Sequence, residues 1–416
     1  MAAVSEEETS DNATKRQKRA AAEAGRDFDP KRFKTLIATY SEFPVNDGQV
    51  ATTPGPALVE FLRPGEEPSE PWRVRALRDS ESNVIHNALV DLSAEQVTLY
   101  TLGGSAAILK RWVRHGEQFE ATTLWKEDFG GRFSRMRDAA WVGDSFQSMV
   151  IGTHDQGVVA LLDVKSRELK RLYKEPNTFI HEVEIGDLDG DGKVEAYVTA
   201  SEPNKFKHEV QRGKVLRIDF DGEVKVTVVV DFGDRHAKEI LVGDVDGDGR
   251  DELYAAVEST HASDATAARV DIVRIDAATT PGTTPGEAYE TATVAHLVDR
   301  QCRFLTAGDI DGDGKKELVA AAFRAGVWLM RPGKNPKEKW SMEVMDDQSS
   351  GFEHAALLAD LDGDGLDELY VAADDQGELR RYVYRGGKLR RRVIATREHP
   401  RSRLTWNLAV APPMDF

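Results

Sequence analysis

The chain has one cysteine, Cys302, in 416 residues, so an intramolecular disulfide framework is excluded. It has no apolar run approaching the roughly 20 residues of a membrane-spanning helix. It has no excess of positive charge. A formal net charge of −17 gives no pull toward phosphates, which argues against a nucleic-acid or anionic-membrane partner. The N-terminus, MAAVSEEETSDNATKRQKRAAAE, has no apolar h-region, so no secretory signal is read there. The expected location is cytoplasmic by default, with nuclear entry or non-classical export as alternatives. No G-x-S-x-G, Walker or Rossmann fingerprint occurs, and no long stretch keeps a helical period.

Apolar residues make up 40% of the chain, enough for a sizeable core. Residues 1–28 are polar, alanine-rich and mixed in charge, which reads as a disordered tail. The cluster Lys15, Arg16, Lys18 and Arg19 has the composition of a nuclear import signal and reads better as part of a solvated tail. From Phe33 onward short β-type runs are punctuated by Gly, Pro and Asp, so residues 29–416 are expected to be almost all β.

Internal repetition sets the architecture. GDLDGDGKVEAYVTA from Gly186, GDVDGDGRDELYAAV from Gly243, GDIDGDGKKELVAAA from Gly308 and ADLDGDGLDELYVAA from Ala359 can be superposed. Their first aspartates are spaced by 57, 65 and 51 residues. Two weaker copies carry Asp91 and Asp144 at the matching place. A seventh copy is split between the termini. ALVEFLRPGEEPSEPWRVRAL from Ala57 matches GVWLMRPGKNPKEKWSMEVM from Gly326 and reads as an outer half-blade, while RLTWNLAVA from Arg403 reads as an inner strand with nothing after it. Joining the two closes a ring and removes exposed sheet edges. The sequence therefore predicts an all-β, seven-bladed β-propeller closed by its N- and C-terminal segments, with about 55 residues per blade. Trp72 and Trp340, each eight residues after a proline, are expected between blades.

Each strong loop reads D-x-D-G-D-G-x-x-E. The carboxylates are Asp187, Asp189, Asp191 and Glu195; Asp244, Asp246, Asp248 and Glu252; Asp309, Asp311, Asp313 and Glu317; and Asp360, Asp362, Asp364 and Glu368. The carbonyls of Lys193, Arg250, Lys315 and Leu366, at position 7, are further candidate ligands. Calcium takes six to eight hard oxygens at flexible geometry, and this spacing wraps them around one point. The glycines at positions 4 and 6 allow the positive φ that so tight a loop needs. The loops are not EF-hands, because position 12 is Val198, Ala255, Ala320 or Val371 where an EF-hand needs a bidentate Glu. Four loops hold 16 of the acidic groups, and so many carboxylates packed together call for a cation. About four structural Ca²⁺ ions are expected.

With these loops, residues 57–416 resemble the FG-GAP/VCBS class of propeller repeats. The literal Phe-Gly…Gly-Ala-Pro signature is absent, which places the resemblance nearer the VCBS branch. The resemblance implies structural metal in the turn between the first and second strands of a blade.

The start of each inner strand must lie at the opposite end of the channel from its loop. That places His86, Arg137, His181, Lys238, Arg303 and His354 at one mouth, with His236 and Glu353 beside them, their side chains exposed. One reading is a site for an anionic ligand, such as a carboxylate sugar or a phosphorylated compound, or for a transition metal on His86, His181 and His354. The other is a set of ordinary polar strand entries. The leading functional expectation is a monomeric, calcium-stabilised binding module for a protein or an anionic small molecule or carbohydrate. The alternative is a propeller enzyme, lyase-like, acting on a carbohydrate or related metabolite with this ring as base and anion clamp.

Overall fold

The β-branched runs pair into seven four-stranded antiparallel sheets. The computed structural model describes residues 29–66, 70–130, 134–203, 210–258, 268–278 and 288–415. The predicted tail, residues 1–28, lies outside the described residues, which contain no helix. Blade 2 is Val84–Asp91, Thr98–Gly104, Ala107–His115 and Gln118–Glu127. Blade 3 is Met136–Trp141, Ser148–Thr153, Val158–Asp163 and Leu169–Lys174, and blade 4 is Phe179–Gly186, Glu195–Ser201, Gly213–Asp219 and Lys225–Asp231. Blade 5 is His236–Gly243, Glu252–Glu258, Val270–Ala277 and Tyr289–Leu297. Blade 6 is Cys302–Gly308, Glu317–Ala322, Val327–Arg331 and Ser341–Asp346, and blade 7 is Ala356–Ala359, Glu368–Ala373, Glu378–Arg385 and Lys388–Thr396.

Blade 1 closes the ring. Its innermost strand is Arg403–Ala411, which pairs from Glu42↔Arg403 to Thr35↔Ala411 with Thr35–Glu42. That strand in turn pairs with Ala57–Arg63, and Arg73–Asp79 lies outermost. The terminal closure expected from the repeat is therefore present. One strand was not anticipated: Thr35–Glu42 stands between the two matched halves, so three strands of the blade come from the N-terminal side and one from the C-terminal side.

The buried apolar side chains form seven clusters, and each spans two neighbouring blades. The core is thus a ring of inter-blade interfaces. This explains why second strands such as Glu195–Ser201 are buried along their whole length, while outer strands such as Lys225–Asp231 alternate with solvent. Trp72 and Trp340 are buried in two of these interfaces, as their spacing suggested.

Six of the seven innermost strands carry a bulge within their first four residues. The register skips His86 in blade 2, Arg137 in blade 3, His181 and Glu182 in blade 4, Lys238 in blade 5, Arg303 in blade 6 and Trp406 in blade 1. A bulge bends the strand and re-aims the unpaired side chain.

Candidate metal-binding loops and channel site

The four acidic loops lie between the first and second strands of blades 4 to 7. Their glycines adopt left-handed φ: 70° and 84° at Gly190 and Gly192, with matching values at the equivalent glycines of the other three loops. An L side chain at those angles would be strained. The first aspartate organises the turn. Asp187 Oδ1 accepts the amide of Gly190 at 2.7 Å and Oδ2 that of Gly192 at 2.8 Å, and Asp244, Asp309 and Asp360 repeat the pattern. The amides of Lys193, Arg250, Lys315 and Leu366 bond the fifth-position aspartates.

Carboxylate oxygens converge to within 4.8 Å of one another in every loop. Blade 5 gathers Asp244, Asp246, Asp248 and Glu252; blade 4 gathers Asp187, Asp189 and Glu195; blade 6 gathers Asp309, Asp311 and Glu317; blade 7 gathers Asp360, Asp362 and Asp364. Asp191, Asp313 and Glu368 belong to their loops without joining these closest groups. The donor set is oxygen only and anionic, which fits a hard divalent cation.

Two further residues hold each glutamate in three of the loops. An arginine from the third strand reaches the cluster: Arg217 Nη1 lies 2.5 Å from Asp189 and its Nη2 3.0 Å from Glu195, while Arg274 Nη1 lies 2.5 Å from Asp246. Arg381 pairs with Asp362 and Glu368. A tyrosine two residues after the glutamate donates to it: Tyr197 to Glu195, Tyr254 to Glu252 and Tyr370 to Glu368 at 2.9–3.1 Å. Blade 6 has Val319 at the tyrosine position, and its Arg331 reaches Asp311 only at 3.6 Å. Burial pushes Glu195 and Glu252 up to about 7, and Glu317 and Glu368 up to about 8, with neighbouring aspartates adding to the rise.

The second loop position ties each cluster to the core. Leu188, Val245, Ile310 and Leu361 are buried in the interfaces that blades 4, 5, 6 and 7 make with the next blade. Asp251 of blade 5 also accepts the amide of Asp187 at 3.0 Å, and Asp367 of blade 7 accepts that of Asp309 at 3.0 Å.

The ring at the other end of the channel is not exposed. His86, Arg137, His181, Lys238, Arg303 and His354 are all buried, as are His236 and Glu353. The bulges free His86, Arg137, His181, Lys238 and Arg303 from the ladder. An ionic chain crosses the channel. His236 Nε2 contacts Glu258 at 3.1 Å, Glu258 accepts Arg303 Nε at 2.9 Å, and Arg303 Nη1 reaches Glu353 at 3.2 Å. Arg137 Nη2 lies 3.4 Å from the other oxygen of Glu353. Burial would raise Glu258, but Arg303 and His236 pull it down to about 2. Burial and the nearby Arg303 push Lys238 down to about 7.

His86 and His181 flank a residue that the sequence did not single out, His154, at ring-centroid distances of 6.0 and 4.9 Å. His86 Nε2, both nitrogens of His154 and His181 Nε2 are buried without a hydrogen-bond partner. Burial, reinforced by Arg137, keeps all three imidazoles well below the usual histidine range. His354 does not join them. Its Nδ1 bonds the carbonyl of Ala322 and its Nε2 the hydroxyl of Ser349. His154 and Glu258 both occupy the seventh place counted from the start of their second strands, so aligning that place across blades is the signal that finds them.

Residues 309–371, from the acidic loop of blade 6 through most of the second strand of blade 7, match the FG-GAP-like repeat. The chain is a seven-bladed β-propeller that contains an FG-GAP-like repeat. No curated protein sequence matches it significantly. Solved structures that share its fold include a protein from Lactobacillus plantarum, at 10% identity and a TM-score of 0.54, covering 91% of this chain and 99% of that one. A putative 6-phosphogluconolactonase from Bacteroides fragilis is similar at 11% identity and a TM-score of 0.54, covering 92% of this chain and 100% of that one. Another from Bacteroides uniformis is similar at 12% identity and a TM-score of 0.54, covering 91% and 100%. At such identities the likeness is one of fold.

Proposed function

We propose that this FG-GAP-like propeller is a calcium-stabilised, monomeric binding module that takes an anionic ligand in its channel. One calcium ion in each of the four loops would be held by the carboxylates at positions 1, 3, 5 and 9 and by the carbonyls of Lys193, Arg250, Lys315 and Leu366. The ion neutralises the clustered charge and fixes each loop against the interface beneath it. Retention of the acidic loops without the literal Phe-Gly…Gly-Ala-Pro signature supports the VCBS branch.

The observation that carries the ligand reading is the group of four unpartnered, buried imidazole nitrogens on His86, His154 and His181. Buried polar atoms in native proteins are nearly always partnered, by protein or by ordered water, so these four support a place for a bound group. Arg137, Lys238 and Arg303 surround it and favour negative charge, as in a carboxylate sugar or a phosphorylated compound. The alternative, an enzyme acting on a carbohydrate or related metabolite, draws on the fold likeness to putative 6-phosphogluconolactonases alone.

Native mass spectrometry with and without EGTA counts the ions, with four expected. Calorimetric titration of the calcium-loaded chain with inorganic phosphate and with glucuronate then tests the channel. His154→Phe, which keeps the stack on Phe179, should abolish the heat of binding while leaving the melting temperature within a few degrees. Absence of binding by either anion to the wild type would remove the anionic-ligand reading.

A further inference from the structure

Outside the channel, one side-chain pair has the geometry of an activated nucleophile. Ser349 Oγ lies 2.7 Å from His354 Nε2. The opposite ring nitrogen, Nδ1, lies 2.6 Å from the carbonyl oxygen of Ala322. A carbonyl can only accept, so Nδ1 carries the proton and Nε2 presents a lone pair. The Ser349 hydroxyl must therefore donate to Nε2. This is the arrangement in which a base takes a nucleophile's proton while a third group fixes the base's tautomer.

The pair is rigidly held. His354 stands at φ +59°, an angle a non-glycine residue rarely adopts, between Glu353, clamped by Arg137 and Arg303, and Ala355, whose carbonyl accepts the amide of Ala372. Unusual backbone angles of this kind concentrate at functional sites. Ser349 is only 1% exposed, yet it lines a cleft of about 410 Å³ between blades 6 and 7. No lining residue is apolar, the charges are mixed (Arg324, Arg380 and Arg391 beside Asp347 and Glu378), and Arg391 pairs with Asp346 at 3.1 Å while Arg324 is exposed.

We propose that Ser349 is an acyl-accepting nucleophile with His354 as its general base, acting on small polar esters bound in this cleft. Ser349 Oγ bonds to the acyl carbon as its proton passes to His354 Nε2. The ester C–O bond breaks, and the leaving alkoxide takes that proton to depart as an alcohol. A water molecule, deprotonated by the same nitrogen, then hydrolyses the acyl-serine, releasing a carboxylic acid and restoring the hydroxyl. Arg324 supplies the positive charge that meets the oxyanion of each addition. The polar lining selects short, polar acyl groups over aliphatic ones.

The test uses the calcium-loaded full chain and a fluorophosphonate probe, with the modified peptide mapped by mass spectrometry. Labelling at Ser349 is expected, with its loss in Ser349→Ala. His354→Asn keeps a residue that tolerates positive φ and removes Nε2; it should slow labelling by about 10²–10⁴-fold, the usual worth of general-base assistance. 4-Nitrophenyl acetate should be hydrolysed at least ten-fold faster than the octanoate. A folded wild type that leaves Ser349 unlabelled overturns the proposal, and so does an unchanged rate in His354→Asn. If that variant does not fold, the pH profile decides. The charged groups around His354 are Arg380, Asp375 and Asp299, and burial leaves the ring neutral down to about 4. The labelling rate should therefore be flat from pH 8 to pH 5. A ten-fold rise per pH unit over that range would mean direct ionisation of an unassisted serine and overturn it as well.

Discussion

The indole of Trp340 in blade 6 packs on the ring of Tyr254 in blade 5, centroids 5.5 Å apart, and the Tyr254 hydroxyl donates to Glu252 of the blade 5 loop at 3.1 Å. Trp72 repeats the relation across the closure, 6.1 Å from Tyr370, which donates to Glu368 at 2.9 Å. A side chain from one blade thus steadies the carboxylate of its neighbour's acidic loop. Trp340→Ala should lower stability by about 3–5 kcal/mol in urea denaturation, the usual cost of deleting a buried tryptophan. If the loops take calcium as proposed, it should also weaken one of four sites in a calorimetric titration. Four unchanged affinities in the variant would show that the interface and the loop are uncoupled.

The raised glutamates give the metal-free protein a pH dependence that a bound cation should remove. Without a cation, Glu195, Glu252, Glu317 and Glu368 ionise near 7–8 in the folded chain, well above the model-peptide value for glutamate. The unfolded chain releases those protons earlier, so the metal-free fold loses stability as pH rises from about 5 to 8. A bound cation favours the ionised form and removes that loss. The melting temperature in EGTA should fall across this window while that in calcium stays nearly level, so the gap between them widens with pH. A gap that narrows as pH rises would contradict the assignment of these groups to a cation site.

In the channel, Glu353 alone stands between Arg137 and Arg303 in the ionic chain from His236. Its neutral isostere leaves both guanidinium groups buried with part of their compensation gone. Glu353→Gln should cost about 3–5 kcal/mol at pH 7, the range for breaking a buried pair from one side. Chemical denaturation measures it. A loss below about 1 kcal/mol would mean that solvent reaches the chain and screens it.

Ring closure makes the two ends of the chain unequal. Removing residues 403–416 deletes the innermost strand of blade 1 and exposes the edge of Thr35–Glu42. Removing residues 1–28 leaves every described strand in place. The first truncation should abolish cooperative thermal unfolding, and the second should shift its midpoint by only a few degrees. Equal midpoints would refute closure by the C-terminal strand.

The features legible in the sequence are those whose physics is local. A loop that needs two left-handed residues and converging oxygens writes its glycines and aspartates at fixed spacing, and it does so four times. The Pro64–Trp72 and Pro332–Trp340 spacings similarly disclose the outer half-blade. Thr35–Glu42 carries no such mark, because its place depends only on partners at Arg403–Ala411 and Ala57–Arg63. The burial of Arg137, Lys238 and Arg303 was equally hidden. It follows from bulges, which are a property of cross-strand register, and from Glu258 and Glu353 arriving from other segments. The Ser349–His354 pair depends on one left-handed residue in a connection between blades, which no periodicity announces.

The strand that seals the ring is made long after the strand it pairs with. Arg403 follows Glu42, its partner in blade 1, by 361 positions. At translation rates of about 5–20 residues per second, the nascent N-terminal strand waits on the order of 20–70 s for its neighbour. During that interval one edge of a growing β array is open to pairing with any other unfinished copy on the same polysome. A cation entering the acidic loops of blades 4 to 7 would stiffen the late half of the array but could not close it. Closure of the ring therefore waits on synthesis of Arg403–Ala411, and the vulnerable period is set by the speed of translation.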